Sequence, residues 1–151
     1  MTFDKIFSDS FDTFKVFDSM DVSKASLKTA NTPKSIWQIL NHLIVWQEFQ
    51  LNRLKGFDPS AIDESGTWET TPLIHDQELL VQTVNVFNEQ IEQLKAEARL
   101  LTIKSDNLEE KLKIVQDLSI HLSFHLGEMT LQMRQNGHYP MPGEMKEFLA
   151  L

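Results

Sequence analysis

Two of the five histidines in this 151-residue chain, His121 and His125, are four positions apart. Residues four apart in an α-helix lie on one face, with about 6 Å between their Cβ atoms. Two imidazoles at that separation can share one metal ion. The same spacing also occurs in helices that carry two surface histidines, or two core histidines bonded to neighbours. The spacing by itself therefore leaves metal binding as one hypothesis among three.

A stripe of polar residues accompanies the histidine pair. At about 100° per residue, Asp117, Glu128 and Gln132 fall within about 40° of His121 on a helical wheel. The positions on either side of this stripe are mostly apolar. A polar stripe on an otherwise apolar helix faces either solvent or a polar site in the interior.

His42 is the natural third ligand, because it lies in the middle of a segment that is apolar on nearly every side. A buried histidine needs a partner for each ring nitrogen. A metal ion on one nitrogen and a carbonyl or carboxylate on the other would satisfy both.

Hydrophobic residues recur at helical spacing through almost the whole chain, which predicts an all-α protein. The expected architecture is a four-helix bundle with one long crossover connection and a short C-terminal helix near Glu144–Leu151, forming a single domain over residues 1–151. The predicted long helices cover residues 2–20, 33–55, 76–100 and 107–136. Two helices show a clear core stripe: Phe3, Phe7, Phe11, Phe14 and Phe17 in the first, and Leu80, Val84, Phe87, Ile91, Leu94 and Ala98 in the third.

Capping residues set these boundaries. Thr32 is the predicted N-cap of the second helix, Pro33 suits its first turn, and Gly56 ends it. The third helix is expected to begin near Asp76. Before the fourth helix, capping-box spacing occurs in two overlapping pairs, Asp106 with Glu109 and Asn107 with Glu110.

Residues 57–75 show no sustained period and contain Pro59, Gly66 and Pro72. Connections of this length are often functional or cross over the fold. Trp68 lies in the segment, and a ring of that size normally docks on the protein. We interpret the segment as a lid or crossover plug, with simple packing of the indole ring as the alternative.

Composition excludes several classes of function. The chain carries a net charge of −8, and no Lys or Arg occurs between Gly56 and Leu94, so we expect no nucleic-acid partner. Without cysteine it has neither disulfides nor a cysteine nucleophile. No apolar run is long enough to cross a membrane, and the first residues do not resemble a secretion signal. These features predict a cytoplasmic protein without a membrane partner.

Two segments, IWQILNHLIVWQEFQLNRLKG and IHLSFHLGEMTLQMRQNGHYP, resemble the DinB-like superfamily of helical bundles. Its hallmark is one His in the second helix and an H-x-x-x-H pair in the last bundle helix, followed by Gly, a Gln-like position, Arg and a G-x-x-P ending. The matching positions here are His42, His121, His125, Gly127, Glu128, Arg134, Gly137 and Pro140. The chain departs from the pattern at Glu128, where many members carry Gln.

The resemblance implies a metal site, usually zinc or nickel, held by His42, His121 and His125 with positions open to water. It also implies an enzyme that acts on a small molecule, with a low-molecular-weight-thiol (bacillithiol-type) S-transferase as the leading hypothesis. Glu128 would be a base or a group beside the ligands, with its pKa lowered by the neighbouring cation. A metal-dependent hydrolase and a non-catalytic metal-binding stress-response protein stay open as alternatives, and relatives are often homodimers.

Overall fold

The computed structural model describes residues 3, 17 and 20–138, and no β-strand occurs among them. The predicted all-α class is confirmed, and the second, third and fourth helices end within three residues of their predicted bounds. Apart from residues 3, 17 and 20, the predicted helix over 2–20 lies outside the described residues, as does the one over 144–151. The elements are α1 (Val22–Ala25), α2 (Ile36–Leu54), a 3-10 turn (Glu64–Thr67), α3 (Gln77–Leu100) and α4 (Leu108–Gln135).

Helix α2 is the central element of the fold, since apolar side chains cover most of its circumference. Ile36, Ile39, Leu40 and Leu43 are fully buried, and α2 packs against both α3 and α4. Burying an aliphatic side chain of this size contributes about 1.5–3 kcal/mol. The same packing carries the imidazole of His42 into the interior.

The core stripe predicted for α3 is confirmed, because all six of its residues are buried. Phe17 is buried as predicted, and its ring meets that of Phe87 edge-on at 4.9 Å between centroids. Edge-to-face pairs of this kind stabilise a core beyond the area that they bury. The predicted stripe residues Phe7, Phe11 and Phe14 lie outside the described residues.

The predicted N-cap of α2 is wrong. The hydroxyl of Thr32 closes a local turn instead, accepting a hydrogen bond from the Thr29 amide at 2.9 Å. Ser35 is the N-cap: its Oγ accepts from the Gln38 amide, and the Gln38 side chain accepts from the Ser35 amide. This reciprocal pair is a capping box. Helix α2 therefore begins three residues later than predicted.

Asn107 is the N-cap of α4, but the predicted capping box is wrong. Its backbone is left-handed, with φ 52°, and within the described part of the chain its side chain makes no capping hydrogen bond. Asparagine tolerates this conformation better than most residues. Helix α3 begins near Asp76, as predicted; Asp76 is its N-cap, and the carboxylate accepts from the amides of Glu78 and Leu79.

The crossover between α2 and α3 is fastened to the helices at two points. Near its middle, the carbonyl of Glu69 accepts a hydrogen bond from Gln38 Nε2 at 2.6 Å. Near its end, the hydroxyl of Ser26 accepts from the Ile74 amide at 3.1 Å. These bonds attach the crossover to α2 through Gln38 and to the end of α1 through Ser26.

Two glycines provide a test of the helix boundaries. Gly127 lies inside α4, and a Cβ atom at this position would have open space around it, so Gly127→Ala should raise the free energy of unfolding by about 0.5–1 kcal/mol. Gly56 follows α2 with φ 88°, so Gly56→Ala should lower it by about 1–2 kcal/mol. Urea denaturation measures both changes. If both substitutions changed the free energy of unfolding in the same direction, the assigned end of α2 would be contradicted.

Candidate metal centre

His42 on α2 meets His121 and His125 on α4, so the structure brings the three predicted ligands together. One ring nitrogen from each residue lies within 4.8 Å of the others. The Nε2 atoms of His42 and His121 are 3.1 Å apart. Three imidazoles that converge in this way suit a divalent metal ion with an open side. Metal binding itself stays a prediction.

Burial keeps these rings uncharged at neutral pH. It is the main cause that lowers the pKa of His42 to about 3, and the neighbouring His121, His125 and Lys34 lower it further. Burial followed by His125 lowers the pKa of His121 to about 4, and burial lowers that of His125 to about 4. A neutral imidazole has a free lone pair, which is the form that binds a metal. The donor set therefore fits a divalent ion.

Glu128 lies beside His125, at the Nδ1 atom of its ring. Its Oε2 is 3.1 Å from Nδ1 of His125. Since His125 is neutral at pH 7, this contact is a hydrogen bond from Nδ1–H to the carboxylate, and Nε2 is left for the metal. Burial raises the pKa of Glu128. The sequence-based prediction of a lowered pKa for Glu128 assumed that a metal cation lies beside its carboxylate.

Trp68 docks at the centre, as expected for a ring of its size, and both the plug and the simple-packing interpretations agree with this position. Its ring stacks on that of His42, with 3.8 Å between centroids and 7° between planes. The preceding residue, Thr67, is buried, and its Oγ1 is 2.7 Å from Nδ1 of His42. Thr67 was not among the predicted site residues, because nothing in the spacing of the crossover residues points to a contact with α2.

A cavity of about 540 Å³ opens beside the three histidines. Its volume is in the range of small-molecule sites. Asp117 belongs to the predicted polar stripe, whereas Glu64 and Gln50 were not predicted as site residues. The lining residues are His42, Trp46, Gln50, Glu64, Trp68, Asp117, Leu118, His121, Phe124 and His125.

The remaining histidines are not part of the centre. His75 is exposed in the connection before α3, and His138 is exposed after the end of α4. Neither residue lines the cavity. Arg134 is also exposed, and Glu144, an acidic residue that could pair with it, lies outside the described residues.

The family model of the DinB superfamily matches residues 12–129. The chain belongs to the DinB superfamily. The matched segment contains the three clustered histidines and Glu128, so the centre lies within the part of the chain that defines membership. Comparison of this DinB-superfamily chain with curated proteins and with solved structures found no significant match. No helix among its described residues is long and apolar enough to span a membrane.

The histidine cluster should make the protein acid-sensitive once a chelator has removed metal. The pKa values of His42, His121 and His125 lie below the unfolded value of 6.5. Between about pH 6.5 and 4 the unfolded chain therefore binds more protons than the folded chain. As the pH falls through this interval, each histidine lowers the free energy of unfolding by up to about 1.4 kcal/mol per pH unit. Glu128, with its raised pKa, acts in the opposite sense.

Urea denaturation over this pH interval measures the effect. His121→Asn should reduce the slope of stability against pH, and His75→Asn, which changes an exposed histidine outside the cluster, is the matched control. If the free energy of unfolding did not change between about pH 6.5 and 4, the burial of neutral histidines would be contradicted.

Proposed function

We propose that the protein is a metal-dependent enzyme that binds one zinc or nickel ion on His42, His121 and His125. Its proposed activity is the transfer of a low-molecular-weight thiol of the bacillithiol type to an electrophilic small molecule. The observation that carries the proposal is the convergence of three neutral imidazoles on the wall of a cavity of about 540 Å³. A structural metal site would be closed, whereas this one adjoins space for a ligand.

The ion would lower the pKa of a thiol or water that reaches it. The chain supplies no thiol of its own, because it contains no cysteine, and this agrees with a thiol that arrives as a cosubstrate. Trp46, Trp68 and Phe124 give the cavity aromatic walls, which limit the access of water and suit an apolar electrophile.

The carboxylates divide into two roles in this proposal. Glu128 holds Nδ1 of His125 and does not line the cavity, so we assign it as a positioning residue. Asp117 and Glu64 do line the cavity. They are the groups placed to take up the proton that the thiol releases. Asp117 also forms an ion pair with Lys113 at 2.7 Å.

A hydrolase would use the same ligands and differ in its nucleophile, and a non-catalytic metal-binding protein would use them without turnover. An assay of thiol-dependent turnover with product identification distinguishes both alternatives from the transferase. The homodimer, the cytoplasmic location and the absence of a nucleic-acid partner stay predictions of the sequence. Size-exclusion chromatography with light scattering tests the first of them.

The proposal requires one metal ion per chain and thiol-dependent turnover. Protein purified without a histidine tag should bind one equivalent of zinc or nickel, and His42→Ala should lose it while His138→Ala keeps it. The loaded protein should form thioether products from a panel of thiols and a chromogenic electrophile, identified by mass spectrometry. Hydrolysis products without thioether would favour the hydrolase, and metal binding with neither product would favour the non-catalytic protein.

The assigned role of Glu128 predicts different effects for two substitutions. Glu128→Gln keeps an oxygen that accepts from Nδ1 of His125, so metal affinity and turnover should both stay within about threefold. Glu128→Ala removes the acceptor and should weaken metal binding by about 10-fold or more. Competition with a zinc chelator gives the affinities. If Glu128→Gln abolishes turnover while metal content holds, Glu128 acts as the base and our assignment is wrong.

A further inference from the structure

The crossover reaches His42 through two successive residues, Thr67 and Trp68. Both contacts are long-range in sequence, since 25 residues separate Thr67 from His42. The hydroxyl of Thr67 meets one ring nitrogen of His42, and the indole of Trp68 covers the ring face. His42 is therefore held by the crossover as well as by its own helix.

The direction of the hydrogen bonds at Thr67 follows from the chemistry of its partners. Its Oγ1 lies 2.7 Å from the carbonyl oxygen of Glu64, which can only accept. The hydroxyl has one hydrogen, and this bond uses it. The contact with Nδ1 of His42, also 2.7 Å, must then run from Nδ1–H to the hydroxyl oxygen.

This direction decides the tautomer of His42. A neutral imidazole carries one N–H, so with the hydrogen on Nδ1 the Nε2 atom has a free lone pair. That lone pair is on the side where Nε2 of His121 lies 3.1 Å away. The Nε2–H of His121 donates to this lone pair, so a hydrogen bond links two of the proposed ligands.

The stacked indole of Trp68 fixes the orientation of the His42 ring plane. Lys34 Nζ lies 4.9 Å from the centroid of the Trp68 ring, which favours a cation–π contact. The next residue along the crossover, Glu69, is fastened to Gln38 on α2 at 2.6 Å. Gln38 Oε1 is in turn used by the N-terminal capping box of α2. The position of the crossover is thus tied to the start of the helix that carries His42.

We infer that Thr67 is a positioning residue for the metal: its hydroxyl holds His42 in the tautomer and orientation that present Nε2 to the ion. The crossover turn, and not α2 by itself, then sets the metal affinity of the centre. The inference rests on the proposed metal site and adds to it a residue outside the histidine motif.

Zinc affinity measured by competition with a chromogenic chelator tests the inference on the full chain. Thr67→Val keeps the shape of the side chain and removes the hydroxyl, and it should weaken zinc binding by about 10- to 100-fold. Thr67→Ser restores the hydroxyl and should bind within about threefold of the wild type. Thr70→Val, at an exposed position three residues along the crossover, is the matched control and should bind like the wild type.

A second measurement separates positioning from folding. In the chelator-treated wild type, ¹⁵N NMR of labelled histidines should show His42 with its hydrogen on Nδ1, and Thr67→Val should lose this preference while circular dichroism keeps the helical signal. If the wild type binds no zinc, the proposed metal site fails. If the wild type binds and Thr67→Val binds equally, or Thr67→Ser falls with it, the positioning role of the hydroxyl is overturned.

Discussion

Three adjacent imidazoles must stay uncharged in the contact between α2 and α4, and the rest of the centre depends on this constraint. Burial disfavours the protonated form of each ring, and proximity to the other rings disfavours it further for His42 and His121. A neutral ring has one donor and one acceptor nitrogen, and each needs a partner in a buried place. The packing of the helices is therefore compatible with this cluster only when other side chains satisfy the outer nitrogens.

Two different parts of the chain meet this need. Helix α4 provides Glu128, three residues after His125, so the acceptor for that ring is local. Helix α2 provides no such group for His42, and the crossover brings Thr67 to it. One ring nitrogen is thus held by a neighbouring side chain at two of the three rings, and one ring nitrogen of each histidine lies within 4.8 Å of the others. A site arranged before the ligand binds loses less entropy on binding than one that must be ordered.

The cavity beside the histidines shares its walls between the same elements. Trp46 comes from α2, Trp68 from the crossover, and Phe124 from α4. The crossover therefore contributes to the wall as well as to the orientation of His42. Asp117 lies one helical turn before His121, so the α4 stripe provides a cavity carboxylate and two histidines from one face.

Local patterns in the sequence were sufficient for α3, for α4 and for the α4 side of the centre. The spacing of Leu80 to Ala98 predicts the buried face of α3, and the four-residue step from His121 to His125 places two rings together, because helical geometry converts spacing into proximity. The predicted start of α2 is wrong by three residues. Thr32 was drawn into a turn with Thr29, and Ser35 took the capping role.

Only the tertiary structure decided which groups complete the centre. His42 and Thr67 meet in a crossover that is bonded to Gln38 on α2 and to Ser26 at the end of α1, and contacts between such distant positions leave no periodic signal in the sequence. The sequence placed Glu128 near His125, but packing decided that its carboxylate contacts Nδ1 of that ring and does not line the cavity. Spacing along a helix determines which side chains are neighbours. Which group each side chain contacts depends on what the rest of the fold packs against it.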